Sequence, residues 1–170
     1  MRKIVLVLAG AGALAAAAGS AVAATTTTTF AVSATVNANC LVSANALNFN
    51  TYAPNGGNVD VSSTLSVRCT KNTAYTVALN AGATAGGTLT QRLLTNGTDT
   101  LQYNLYTAAA RTTVWGDGTA SSATVAGTGA GLAAASAVTH TVYGRLVDST
   151  ANQNVSAGSY ADTITVTVTY

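Results

Sequence analysis

Few side chains in this sequence are equipped for chemistry. Cysteines stand at 40 and 69, the one histidine at 140 and aspartates at 60, 99, 117, 148 and 162, while glutamate is absent. General acid–base catalysis needs titratable groups held together, and aspartates scattered this way offer no local pair. No GxSxG, HExxH, GxxxxGK or GxGxxG pattern occurs between residues 24 and 170. His140 is an isolated residue in a strand-like stretch, where a packed or solvated role is the ordinary one. Cys40 and Cys69 show neither CxxC spacing nor a neighbouring histidine, so redox and metal roles find no support. We therefore expect no catalysis, no cofactor and no metal.

The cysteines gain meaning from the N-terminus. Arg2 and Lys3 precede an uncharged apolar stretch from Ile4 to Ala18, and Ala21-Val22-Ala23 sets small residues where a signal peptidase cuts. Residues 1–23 read as an export signal cleaved after Ala23. Beyond Leu14 the segment is Ala, Gly and Ser with no basic stop-transfer cluster, so no stable membrane span is expected after cleavage. In an exported chain two cysteines read as one disulfide, Cys40–Cys69, closing a loop that the chain-entropy model values at about 3–4 kcal/mol.

The whole chain carries seven basic and five acidic side chains. Removing Arg2 and Lys3 leaves five of each, which gives no electrostatic footprint for nucleic acid. Such low charge also argues against charge-rich disorder.

The elements that must position these residues are strands. Val59, Val61, Ser63, Leu65, Val67 and Cys69 alternate with Asp60, Ser62, Thr64, Ser66 and Arg68. The same period of two recurs in Tyr75, Val77 and Leu79, in Leu101, Tyr103 and Leu105, and in Ile164, Val166, Val168 and Tyr170 within an expected strand Thr163–Tyr170 that leaves its sheet edge uncovered. Asn55-Gly56-Gly57, Gly86-Gly87, Asn96-Gly97 and Gly116-Asp117-Gly118 supply turns between them. Ala120 to Ala137 reads as a loop with a weak strand near Val125, its glycines opposing a helix at Ala133–Ala135. About seven short strands predict an all-β antiparallel sandwich.

Phe30, Val32, Ala34 and Val36 also alternate, with Ala31, Ser33, Thr35 and Asn37 opposite, after a threonine run from 25 to 29. Periodicity alone reads this as the first strand of its own sandwich. The functional alternative is a strand exported unpaired that completes another subunit. Trp115 beside Gly116-Asp117-Gly118, with seven tyrosines, would suit stacking on a sugar, as in a secreted monomeric carbohydrate-binding protein, although core packing accounts for the same aromatics. Asn96-Gly97-Thr98 and Asn154-Val155-Ser156 match glycosylation sequons and read as turn residues.

Three stretches carry a family resemblance. They are Phe30-x-Val32-x-Ala34-x-Val36-x-x-x-Cys40, the run LQYNLYTAAARTTVWGDG from Leu101 to Gly118, and Tyr143-Gly144-Arg145 followed by Gly158 to Val168. Together they resemble the spore coat protein U domain family, whose best understood members are subunits of archaic, Csu-type chaperone-usher pili. Ala108 stands where many relatives carry an acid, and Ser156 precedes Ala157-Gly158 where proline is common; both departures fall in loops.

The resemblance implies an incomplete immunoglobulin-like sandwich lacking its last strand, completed by donor-strand exchange. It divides the chain into a signal peptide at 1–23, a donor strand at 24–37 and a pilin domain at 38–170. Phe30, Val32, Ala34 and Val36 would be the donor residues. The implied partners are identical or related pilin subunits, a periplasmic chaperone and an outer-membrane usher, on a route through the periplasm to a cell-surface pilus serving attachment and biofilm formation. A stand-alone secreted coat protein of the same type is the other reading.

Overall fold

The computed structural model describes residues 22–170, so all but the last two residues of the expected export signal lie outside the described residues. The chain divides into two units, Met1–Thr35 and Val36–Tyr170. In the first, residues 22–35 carry neither helix nor strand and are exposed throughout. The alternating segment from Phe30 to Val36 forms no strand.

The second unit is an all-β, immunoglobulin-like sandwich. Its strands are β1 (Cys40–Ala44), β2 (Val59–Cys69), β3 (Ala74–Leu79), β4 (Arg92–Thr95), β5 (Thr100–Tyr106), β6 (Val125–Thr128), β7 (Val138–Leu146) and β8 (Val166–Thr169). One sheet has the order β1-β2-β7-β5-β4 and the other β6-β3-β8. Every pairing between these strands is antiparallel.

Alternation places the core. In β2, Leu65, Val67 and Cys69 are buried, and they share one core cluster with Val77 and Leu79 of β3 from the opposite sheet. Leu101, Tyr103 and Leu105 of β5 and Val142 and Leu146 of β7 complete the inner face, as period-two patterning requires of a sheet with one dry side. Gly144 of β7 lies beneath Leu47 and Phe49, where a Cβ would stand 2.9 Å from a Leu47 methyl. That close approach explains the glycine of Tyr143-Gly144-Arg145. Phe49 in turn packs edge-on to Tyr103 at 5.8 Å.

Several features depart from the sequence reading. There are eight strands among the described residues, and the last is shorter than Thr163–Tyr170. The weak strand near Val125 is β6, held beside β3. Ala134–Ser136 forms a single 3-10 turn despite the neighbouring glycines, because one turn needs little propensity. A four-residue helix, α1 (Thr150–Gln153), follows β7 and is capped by the Ser149 hydroxyl, which accepts from the Asn152 N–H. Asn152 is fully buried and exchanges hydrogen bonds with the backbone N–H and C=O of Gln102, closing the end of β5 as a strand would.

Candidate functional site: an open edge of the sandwich

The register of β1 against β2 exposes an unfinished interior. Cys40, Val42 and Ala44 pair with Cys69, Val67 and Leu65, so they share the inward face of the sheet. Val67 is 0% exposed, yet its partner Val42 is 42% exposed. The inner face is therefore covered over β2 and bare over β1. β1 ends one sheet and β8 ends the other; the two lie near each other, each paired on one side only.

Between them runs a groove of about 450 Å³. Ala44 of β1, Leu65 of β2, Leu79 of β3, Leu105 of β5, Val142 of β7 and Val166 of β8 contribute walls or floor, with Leu47, Phe49 and Ile164 along the rim. Ile164, Val166 and Val168 are half-buried while Thr163, Thr165, Thr167 and Thr169 are exposed, so the alternation of this segment aims its apolar side into the groove. An edge with unpaired backbone groups beside exposed apolar surface is a template for another strand.

Asp162 is the one charged side chain lining the groove. Its carboxylate accepts from the Tyr103 hydroxyl at 2.7 Å, from the Ala83 and Thr84 N–H groups at 2.8 and 3.0 Å, and from the Thr84 hydroxyl at 3.0 Å. Burial opposes its ionisation, but hydrogen bonds from Tyr103, Thr163 and Thr84 outweigh that and hold the carboxyl below its ordinary range. The same pair raises the Tyr103 hydroxyl, burial acting first and Asp162 second. The groove end is thereby tied to the loop at 81–84.

Behind the groove lies a fully buried arginine. Arg92 donates to Asn80 O from Nε and Nη2 at 2.9 and 2.7 Å, to Trp115 O at 2.8 Å and to Asn104 Oδ1 at 2.6 Å. Burial lowers its pKa, while the ring of carbonyl oxygens satisfies the fork. Among the described residues no buried side-chain nitrogen or oxygen lacks a partner. Sequence reasoning passed over Arg92, because its partners come from distant segments and no local spacing announces them.

The structure places the singled-out residues as follows. Cys40 and Cys69 form a disulfide with sulfurs 2.00 Å apart, fastening the start of β1 to the end of β2. Phe30, Val32 and Val36 are 86%, 83% and 81% exposed, and Ala34 is exposed as well. Trp115 is 1% exposed and its indole N–H donates to Val77 O at 2.9 Å, so it is core and presents no ring to a sugar. His140 is half-buried, 2.9 Å from the Tyr75 hydroxyl, and burial lowers its pKa. Asn96 and Asn154 shape turns: the Asn96 carboxamide oxygen accepts from the Thr98 and Asp99 N–H groups. Among the described residues no cluster of His, Cys, Asp or Glu gathers that could hold a metal ion.

An immunoglobulin-like sandwich with one apolar edge left open is the class that this fold and groove define. The chain belongs to the spore coat protein U domain family, whose model matches residues 26–167. A chain in the crystal structure of the CsuC–CsuE chaperone–tip adhesion subunit pre-assembly complex, from archaic chaperone-usher Csu pili of Acinetobacter baumannii, is similar in fold. The TM-score is 0.53 at 24% identity, over 80% of this chain and 40% of that one. No curated protein matches.

Proposed function

We propose that this chain is a structural subunit of a chaperone-usher pilus, polymerising head-to-tail by donor-strand exchange. Residues 24–37 act as the donor strand, with Phe30, Val32, Ala34 and Val36 filling the groove of the next copy, and 38–170 act as the receiving domain. Residues 1–23 direct export. A periplasmic chaperone holds the groove before assembly, an outer-membrane usher catalyses the exchange, and the fibre serves surface attachment and biofilm formation. Among the described residues no helix is long and apolar enough to cross a membrane.

One observation carries the reading. An inward-facing valine, Val42, is left 42% exposed beside an unpaired strand edge, while an alternating apolar segment of the same chain is exposed on every residue. The two surfaces are chemically matched. Burying Phe30, Val32 and Val36 at about 1.5–3 kcal/mol each, with a smaller contribution from Ala34, yields on the order of 6–9 kcal/mol. Ordering about ten residues of backbone costs a comparable or larger amount, so the new ladder of hydrogen bonds must supply the margin. Alternation sets the register, since a one-residue slip would turn Ala31, Ser33 and Thr35 into the groove. A head-to-tail contact does not close on itself and makes a fibre.

Deleting residues 24–37 tests this. The truncated subunit is expected to load onto its chaperone and to lose fibre growth in electron micrographs of sheared surface material. Fibres of normal length from the truncated chain would overturn the proposal.

A further inference from the structure

Next to the groove lies a second cavity of about 690 Å³, which shares Leu47, Phe49, Leu94 and Asp162 with it as common walls. We propose that this cavity is the socket for the connector of the incoming subunit, Asn37-Ala38-Asn39, and so forms the joint between successive copies. This rests on the donor-strand reading above.

The argument is one of chain direction. All strand pairings in both sheets are antiparallel. A strand that extends the β6-β3-β8 sheet in the same manner lies antiparallel to β8. Its leading residue, Phe30, then falls toward Thr169 and its trailing residue, Val36, toward Ile164 and Asp162. The second cavity opens at that trailing end, lined by Ser159, Tyr160, Ala161 and Asp162. The residues that follow Val36 therefore have to leave through it.

Three residues separate Val36 from Cys40, and Cys40 is fastened into the donor's own sandwich by its disulfide. Three extended residues reach about 10 Å. The body of the donor is thus brought against the cavity mouth, whatever the remainder of the fibre does.

Chemistry and rigidity agree with that occupant. The rim is polar and uncharged at Asn48, Asn50, Ser156 and Ser159, over a floor of Leu101 and Leu146. Asn37 and Asn39 are exposed, and among the described residues neither side-chain amide enters a hydrogen bond; the Asn39 backbone N–H and C=O are bonded to Thr70 of its own sandwich, so Asn37 and Ala38 are the free backbone of the connector and Asn39 offers only its side chain. The cavity walls are already fixed. Asp99 accepts from the Ser156 N–H at 2.8 Å and its hydroxyl at 2.5 Å, and the Tyr160 hydroxyl donates to Ser156 O at 2.8 Å. On the other wall the Tyr52 hydroxyl donates to Asp148 at 2.6 Å. A preformed socket spares the ordering cost that a loose one would add on binding.

The test uses full-length chain exported with its chaperone and usher. Fibres carrying the pair Asn37→Cys with Ser159→Cys are oxidised and run on a non-reducing gel. A ladder of covalent multimers, at least tenfold above that from either single variant, is expected. The pair Asn37→Cys with Thr169→Cys reports the opposite direction, and a ladder from that pair overturns the proposal. So does the absence of a ladder from the Ser159 pair in fibres that do form. Should the added thiols disturb folding, Ala157→Trp gives a second reading at an exposed loop position of the same cavity. It is expected to leave subunit melting unchanged and to cut fibre yield severalfold, and unchanged yield overturns the socket. If unmodified chain makes no polymer in this system, the donor-strand reading fails first and the socket falls with it; polymer without the expected ladder sinks the socket alone.

Discussion

Val32→Asp separates the stability of the subunit from that of the fibre. Val32 is 83% exposed in the single chain, so its replacement removes no packing from the sandwich. Surface substitutions of this kind stay within about 0.5 kcal/mol, and melting of the isolated subunit is expected to be unchanged. At the proposed joint the same change would remove a buried valine, about 1.5–3 kcal/mol, and turn a carboxylate toward walls such as Leu65, Leu79 and Val142. An unpaired carboxylate there costs several kcal/mol more, whether it stays charged or takes up a proton. A total near 5 kcal/mol weakens strand exchange by roughly three to four powers of ten. Chaperone-loaded Val32→Asp subunits, mixed with unmodified ones and followed by native gel and electron microscopy, are expected to stop elongation. Ser33→Asp is the matched control, because Ser33 lies on the outward side of the proposed register. Fibres of ordinary length from Val32→Asp, or equal arrest by both variants, would refute the register and the pairing behind it.

Cys40→Ser with Cys69→Ser opens the only covalent loop and is expected to lower unfolding free energy by about 3–4 kcal/mol, read from urea midpoints; an unchanged midpoint would refute a stabilising bridge. Asp162 has a folded-state carboxyl held below its unfolded value, so its contribution is present above the unfolded carboxylate range and is lost as pH falls through the folded value. Asp162→Asn is expected to cost about 1.5–3 kcal/mol at neutral pH and to flatten the acid limb of a stability profile between pH 7 and 3; an identical limb in both proteins would count against it. Arg92→Met strips the donors from Asn80 O, Trp115 O and Asn104 Oδ1 and is expected to destabilise by on the order of 3 kcal/mol in thermal unfolding. A neutral Arg92→Met would show that water replaces the fork.

Legibility in the sequence followed the range of the interactions concerned. β2 reads directly because six alternate positions from Val59 to Cys69 obey one period, and the structure buries Leu65, Val67 and Cys69 and half-buries Val59, Val61 and Ser63. The apolar side of the final strand was legible for the same reason. Leu47 and Phe49 also stand two apart, but they lie in no regular strand and pack over the bare glycine surface at Gly144. β4 escaped notice because Arg92-Leu93-Leu94 has no alternation, and the buried Arg92 is satisfied by oxygens of Asn80 just after β3, Leu89, Asn104 of β5 and Trp115, which come together only in the fold. Trp115 itself could be read as a sugar-stacking surface, with core packing the better account of the same aromatics. Its burial is decided by Val77 O, 38 residues away, a contact that no local pattern encodes.

The bridge also explains how one wall of the groove stays in place while its inward side is bare. β1 buries little of its own: outward Leu41 is 46% exposed, inward Val42 is 42% exposed, inward Ala44 is exposed too, and only Cys40 is half-buried. A five-residue edge strand so poorly packed would be expected to fray, since ladder hydrogen bonds alone give a modest net gain against backbone entropy. Its ends are held by other means. Cys40 is bonded to Cys69 at one end, and at the other the Ser63 hydroxyl donates to Asn45 O and Ala46 O while the Asn45 amide donates to the Thr64 hydroxyl. Covalent and polar ties thus stand in for the packing that β1 lacks. The inward side of β1 can then remain uncovered without the strand leaving the sheet, which is the condition an acceptor groove must meet.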